Sequence, residues 1–148
     1  MQAIRRTTIV VEDIEKSLKF YRDIMGLEVF YDGEIGADAT GKLLGVDGAR
    51  VRVVSLKGEE TTFGMVGLMQ YLSPTVNPRR NVQDMQMPAD IVLIFRTTEI
   101  HRLYEAFKDA GMRIQCAPVQ YEIPGRGMVT GMSVFDDDGV LVELSQHG

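Results

Sequence analysis

The chain has a single cysteine, Cys116, and two histidines, His101 and His147, in 148 residues. One cysteine excludes an internal disulfide and any paired-cysteine redox or zinc motif. As a small hydrophobe on a strand, Cys116 reads as buried rather than reactive. No apolar run is long enough to span a bilayer, and the start, Met1 to Thr8, lacks an apolar signal core; a cytoplasmic location without a membrane partner follows as the expectation. Lys and Arg number 16 against 21 Asp and Glu, a net charge of -5, with no basic run of the kind that tracks a phosphate backbone. Nucleic acid is therefore not an expected partner.

What is present is a repeat. Ile4 to Val11 is β-branched and alternates, predicting a strand with Thr7, Ile9 and Val11 on one face and Arg6, Thr8 and Val10 on the other. Asp13 is placed to cap a helix. At helical spacing, Ile14, Ser17, Leu18, Tyr21, Ile24 and Met25 form one stripe, and Gly26 supplies a left-handed stop. A second strand is predicted over Leu27 to Tyr31, ended by Asp32-Gly33. A Gly-rich excursion follows over residues 34–49. Arg50 to Leu56 and Thr62 to Tyr71 then form a hairpin around residues 57–60.

Leu72 to Pro88 has three prolines and no period, and reads as the connection between modules. Its Arg79-Arg80 pair reads as a solvated tip. Asp90 to Arg96 begins the second copy, with Thr97 or Thr98 capping a helix whose stripe is Ile100, Leu103, Tyr104, Phe107 and Ala110, stopped at Gly111. Aligning the two glycines places Leu27 to Val29 on Met112 to Ile114, and Val66 to Gln70 falls on Val142 to Gln146. Two βαβββ modules, residues 1–74 and 89–148 joined by a linker over 75–88, make one α+β domain of pseudo-symmetric mixed sheets.

Three segments carry a resemblance: Val11 to Val29, Gln70 to Pro74, and Phe135 to Leu144. Together they are similar to the vicinal oxygen chelate superfamily, which holds glyoxalase I, bleomycin-resistance proteins and extradiol dioxygenases. The resemblance implies two curled sheets around a cleft, a metal held from the first and last strands of both modules, and a homodimer. It places the first-strand ligand positions on Arg6 and Asp90 and the last-strand positions on Gly67 and Glu143. A guanidinium stays protonated near neutral pH and cannot ligate a cation, and Gly67 has no side chain. Asp90 and Glu143 alone make a poor site for zinc, nickel or iron, so no transition-metal cofactor is expected. A hard cation held with several waters between those two carboxylates is the disfavoured remainder. His101 falls on the polar side of its helix and His147 near the chain end, so neither restores the ligand set.

Two readings of these positions stay open. The Arg6 fork pairs with Asp90 and Glu143 as charge satisfaction, or Arg6 holds a substrate carboxylate or enolate oxygen while Asp90 or Glu143 moves a proton. Met65 and Met69 share the cleft face with Gly67, and the nine methionines suit either an adaptable apolar pocket or core filling. Gln70 reads equally as a strand-end polar residue or a ligand contact. The segment Tyr121 to Met128 resembles a loop that closes over the cleft, with Arg126 available to an anionic group. The run Asp136 to Gly139 lacks the calcium-loop pattern and resembles a hairpin turn. The functional expectation is a glyoxalase-like lyase, isomerase or dioxygenase relative that transfers a proton next to a carbonyl of a small oxygenated molecule. The alternative is a non-catalytic protein that binds an antibiotic or aromatic compound.

Overall fold

In the computed structural model the described residues are 3–36, 38–59, 61–76, 88–125 and 127–148. The chain forms two compact units, Met1–Arg79 and Arg80–Gly148. In the first, strands β1 (Arg6–Val10), β2 (Glu28–Ile35), β3 (Arg50–Lys57) and β4 (Met65–Ser73) form a mixed sheet in the order β1-β4-β3-β2. The second unit repeats this with β5 (Val92–Arg96), β6 (Ile114–Ile123), β7 (Gly127–Phe135) and β8 (Leu141–His147), in the order β5-β8-β7-β6. In each sheet the first strand runs parallel to the last, and the remaining pairs are antiparallel. The two-copy α+β architecture read from the repeat is thus the architecture of the fold.

The first helix starts as read and then departs. Asp13 accepts from the Glu15 amide at 2.9 Å, and α1 spans Ile14–Leu18. From Lys19 to Ile24 the coil widens into a π-helical turn. That widening shifts the buried stripe. Phe20, off the 3.6-residue stripe, is fully buried beside Tyr21, with ring centroids 4.8 Å apart, whereas Ile24 and Met25 are only half-buried. Burying a ring of this size contributes about 1.5–3 kcal/mol, enough to outweigh the imperfect helical geometry. Gly26 then takes φ +79°, the left-handed stop.

Two further expectations are corrected. Asp32 and Gly33 continue β2 instead of ending it, because the strand carries its own compensation. The Asp32 carboxylate pairs with both Arg52 Nε and Nη2, at 2.9 and 2.7 Å, and the Tyr31 ring lies over Gly33. This hydrogen-bonded guanidinium holds the Asp32 carboxyl below the usual carboxylate range. The excursion after β2 contains a helix, α2 (Asp38–Leu44), so the first unit has one helix more than the repeat implied. Gly41 permits it: a Cβ there would lie 2.8 Å from the Val46 carbonyl oxygen.

In the second unit, α3 (Ile100–Asp109) buries Ile100, Leu103 and Phe107, while Tyr104 is half-buried and Ala110 exposed. The N-cap is Glu99 rather than Thr97 or Thr98, and the Thr97 hydroxyl instead accepts from the Glu99 amide at 3.0 Å. Residues 136–139 are the hairpin turn expected there: buried Asp136 accepts from the Asp138 and Val140 amides at 3.0 and 2.8 Å, and Gly139 takes φ +86°. Cys116 does lie on a strand, but it is exposed, because register shifts on both sides of it take β6 out of regular alternation.

Candidate functional site

Strand alternation gives each sheet one face under its helix and one free of it. In unit one, Val54, Leu56, Val66 and Leu68 are almost fully buried on the helix side. The opposite face carries Arg6 and Thr8 from β1, Ser55 from β3, and Met65, Gly67 and Met69 from β4. Gly67 is the register partner of both Thr8 and Ser55, and Ser55 is the partner of Tyr31 on β2. Thr8, Gly67, Ser55 and Tyr31 therefore form a row across all four strands.

Arg6 lies along that row. Its Nε donates to Thr8 Oγ1 at 2.9 Å, and its Nη1 donates to Ser55 Oγ at 2.8 Å. The side chain crosses Gly67 to get there: a Cβ on Gly67 would lie 2.7 Å from Arg6 Cδ, 2.9 Å from Nε and 2.6 Å from Thr8 Oγ1. The missing side chain at 67 and the arginine at 6 are one arrangement. Ser55 is only 2% exposed, so its hydroxyl needs a protein partner, and the guanidinium supplies it. Two of five guanidinium N–H groups are used, and both acceptors are neutral. By contrast Arg22, Arg50, Arg52 and Arg102 each face a carboxylate, at 2.7, 3.0, 2.6 and 2.9 Å.

Gln70 lies on the helix-covered face, with Val66 and Leu68, and so not on the face of Gly67. Its Oε1 accepts from the Ile14 amide at 3.1 Å, filling the open start of α1. Gln146 does the same for Ile100 at 3.0 Å. The sequence match between these glutamines thus marks a repeated helix-capping device. Met65 is buried and Met69 half-buried, both on the Arg6 face as read.

In unit two, Glu143 is the counterpart of Gly67, with register partners Ile94 and Ser133 where Gly67 has Thr8 and Ser55. Its carboxylate is half-buried and has no hydrogen-bond or ion-pair partner among the described residues. Asp90 precedes β5. Arg6 pairs with Met65, two residues before Gly67, and Val92 pairs with Leu141, two before Glu143. By register the counterpart of Arg6 is therefore Val92, not Asp90, because the strand begins two residues later than its apolar pattern suggests. Asp90 itself is half-buried.

Tyr121 lies two residues before the end of β6 and Met128 is the second residue of β7, so the segment read as a closing loop is the tip of the β6–β7 hairpin. Tyr121 lies over Gly131, its Cε1 2.8 Å from where a Cβ would be. Met128 is 55% exposed. Arg126, like Arg79 and Arg80, lies outside the described residues. His101, on α3, and His147, at the end of β8, are both exposed. Among the described residues no group of three His, Cys, Asp or Glu side chains is gathered in a way that suits a metal ion. Sequence reasoning missed Ser55 and Tyr31. The signal for Ser55 was one hydroxyl amid the valines of β3, and for Tyr31 a glycine two residues on.

The family model described as Glyoxalase/Bleomycin resistance protein/Dioxygenase superfamily matches residues 3–144. No curated protein matches the chain significantly. Among solved structures, a glyoxalase family protein from Bacillus cereus superposes with a TM-score of 0.86 at 16% identity, over 99% of this chain and 94% of that one. The trypanothione-dependent glyoxalase I of Leishmania major gives 0.64 at 18% identity, over 99% and 87%. TnmS3, an antibiotic binding protein from a Streptomyces species, gives 0.65 at 15% identity, over 100% and 98%. At such identities these likenesses establish the fold.

Proposed function

The chain belongs to the Glyoxalase/Bleomycin resistance protein/Dioxygenase superfamily, and from that premise we propose a glyoxalase-like protein that handles a small oxygenated organic molecule with an arginine in place of the metal centre. The observation that carries this reading is Arg6, held over Gly67 by Thr8 and Ser55. The residues do not fit a transition metal. Position 6 offers a permanently protonated group, position 67 offers no donor, and the space beside Gly67 is filled by Arg6 itself.

A guanidinium fixed in this way suits an oxygen that is or becomes anionic. It needs no reorganisation when charge develops, and oriented donors of this kind are worth about a hundredfold to a thousandfold in rate. Arg6 thus holds a carboxylate or the oxygen of an enolate. In the second unit, Glu143 carries a carboxylate with no hydrogen-bond or ion-pair partner among the described residues, which suits it to accept a proton.

A second reading is supported by the same lack of ligands and by the fold shared with TnmS3: binding without turnover, of an antibiotic or aromatic compound. A thermal-shift screen of oxo acids, acyl-CoA esters, catechols and cationic antibiotics separates the two, since a ligand at a hundred times its Kd stabilises by about 2.7 kcal/mol. Turnover of a hit that survives chelation and is lost in Arg6→Gln supports the enzyme. Stabilisation without turnover favours the binding protein. Turnover abolished by chelation overturns the role of Arg6.

A further inference from the structure

The reading of Arg6 as an anion anchor leaves the rest of the ligand unspecified, and the row across the first sheet addresses it. Ser55, which accepts from Arg6 Nη1, is the direct register partner of Tyr31. Cβ atoms of such partners lie about 4.5–5.5 Å apart, so the guanidinium ends one strand away from the tyrosine. Tyr31 lies back along its own strand: its Cζ is 2.8 Å from where a Cβ on Gly33 would be, and its hydroxyl is also in contact with that point. The hydroxyl end of the ring thus lies where a side chain on residue 33 would be. The residue is nevertheless 43% exposed, so part of its surface stays accessible. The strand slips register between Val29 and Tyr31, and this bulge sets the tyrosine at its place in the row.

Charge sharpens the case. In a chain of net charge -5, four arginines are each met by a carboxylate, whereas Arg6 is oriented by two hydroxyls that leave its charge uncompensated. Three of its N–H groups, including both on Nη2, have no acceptor among the described residues. A flat ring beside a fixed fork, with the apolar Val53 and Met69 as neighbouring register partners, matches a molecule with an acid group at one end and a planar body.

We propose that the Arg6 face of the first unit binds an aromatic carboxylate, its acid group on the free N–H donors of Arg6 and its ring on the accessible surface of Tyr31. This rests on the reading of Arg6 as an anion anchor and adds the ring.

Isothermal titration of the full chain with naphthoate, naphthamide and cyclohexanecarboxylate tests both parts. Naphthoate binds saturably, the uncharged amide binds at least tenfold more weakly, and the non-aromatic acid is weaker by about threefold to tenfold. Arg6→Gln removes the preference for the acid over the amide. Tyr31→Leu brings naphthoate level with cyclohexanecarboxylate, and Tyr31→Phe, which keeps the ring, restores the difference; circular dichroism shows that each variant is folded. If Tyr31→Leu leaves naphthoate affinity unchanged while Arg6→Gln weakens it, the aromatic part is overturned and the anchor stands. If Arg6→Gln has no effect, or naphthoate gives no saturable heat at millimolar concentration, both are overturned.

Discussion

Arg6 lies across Gly67 so closely that a single added methyl would stand 2.7 Å from its Cδ. The two positions therefore function as a pair: the glycine makes the groove in which the arginine runs to Ser55. Gly67→Ala is expected to push Arg6 off Ser55 and to cost about 1–2 kcal/mol, since the buried hydroxyl then loses its partner. In an Arg6→Ala background the same substitution should cost measurably less. Chemical denaturation of the two single variants and the double variant gives the coupling, and purely additive effects would contradict the pairing.

Gln70 and Gln146 each accept from the first amide of a helix, Ile14 and Ile100. Gln70→Ala and Gln146→Ala should each lower stability by about 1 kcal/mol, and by similar amounts, because each leaves one helix-terminal N–H without its side-chain acceptor. The two effects should add, as the glutamines share no partner. Urea titrations with an unchanged slope would show it.

The Asp32–Arg52 pair gives a pH dependence of known sign. Arg52 lowers the Asp32 carboxyl below its ordinary value, so the contribution is fully present above about pH 4 and is lost as pH falls through the lowered value. With the Asp32 side chain 41% exposed, solvent screening limits the effect to at most about 1 kcal/mol. Asp32→Asn should be less stable than the parent near neutrality, and the difference should close in acid. Denaturation midpoints measured across that range decide the matter.

Asp136 is 6% exposed and receives two backbone N–H groups, from Asp138 and Val140. Asp136→Ala should cost about 1–3 kcal/mol, because both amides lose their acceptor in the turn that leads into the strand of Glu143. Amide hydrogen exchange at residues 138 and 140 should rise selectively.

The repeat, both helix stops and the paired sheets were legible because they rest on spacing: Gly26 and Gly111 both take positive φ after an amphipathic stripe. What was not legible rests on tertiary compensation. Asp32-Gly33 carries turn chemistry, yet Arg52 and the Tyr31 ring hold it in a strand. Phe20 lies off an ideal helical stripe and becomes core only because the helix widens. At the candidate site, Arg6 and Gly67 were visible as departures from a ligand pattern, but their contact was not, since it depends on where β1 and β4 come into register. Gln70 illustrates the reverse: its match with Gln146 was plain, and only the hydrogen bonds to Ile14 and Ile100 show that the match concerns capping.

The central claim is that Arg6 stands in place of the metal centre, and elemental analysis of the purified protein tests it most directly. The account predicts no stoichiometric zinc, nickel or iron after dialysis, and no change in metal content on Glu143→Ala. One equivalent of such a metal, retained through dialysis and lost in Glu143→Ala, would contradict it.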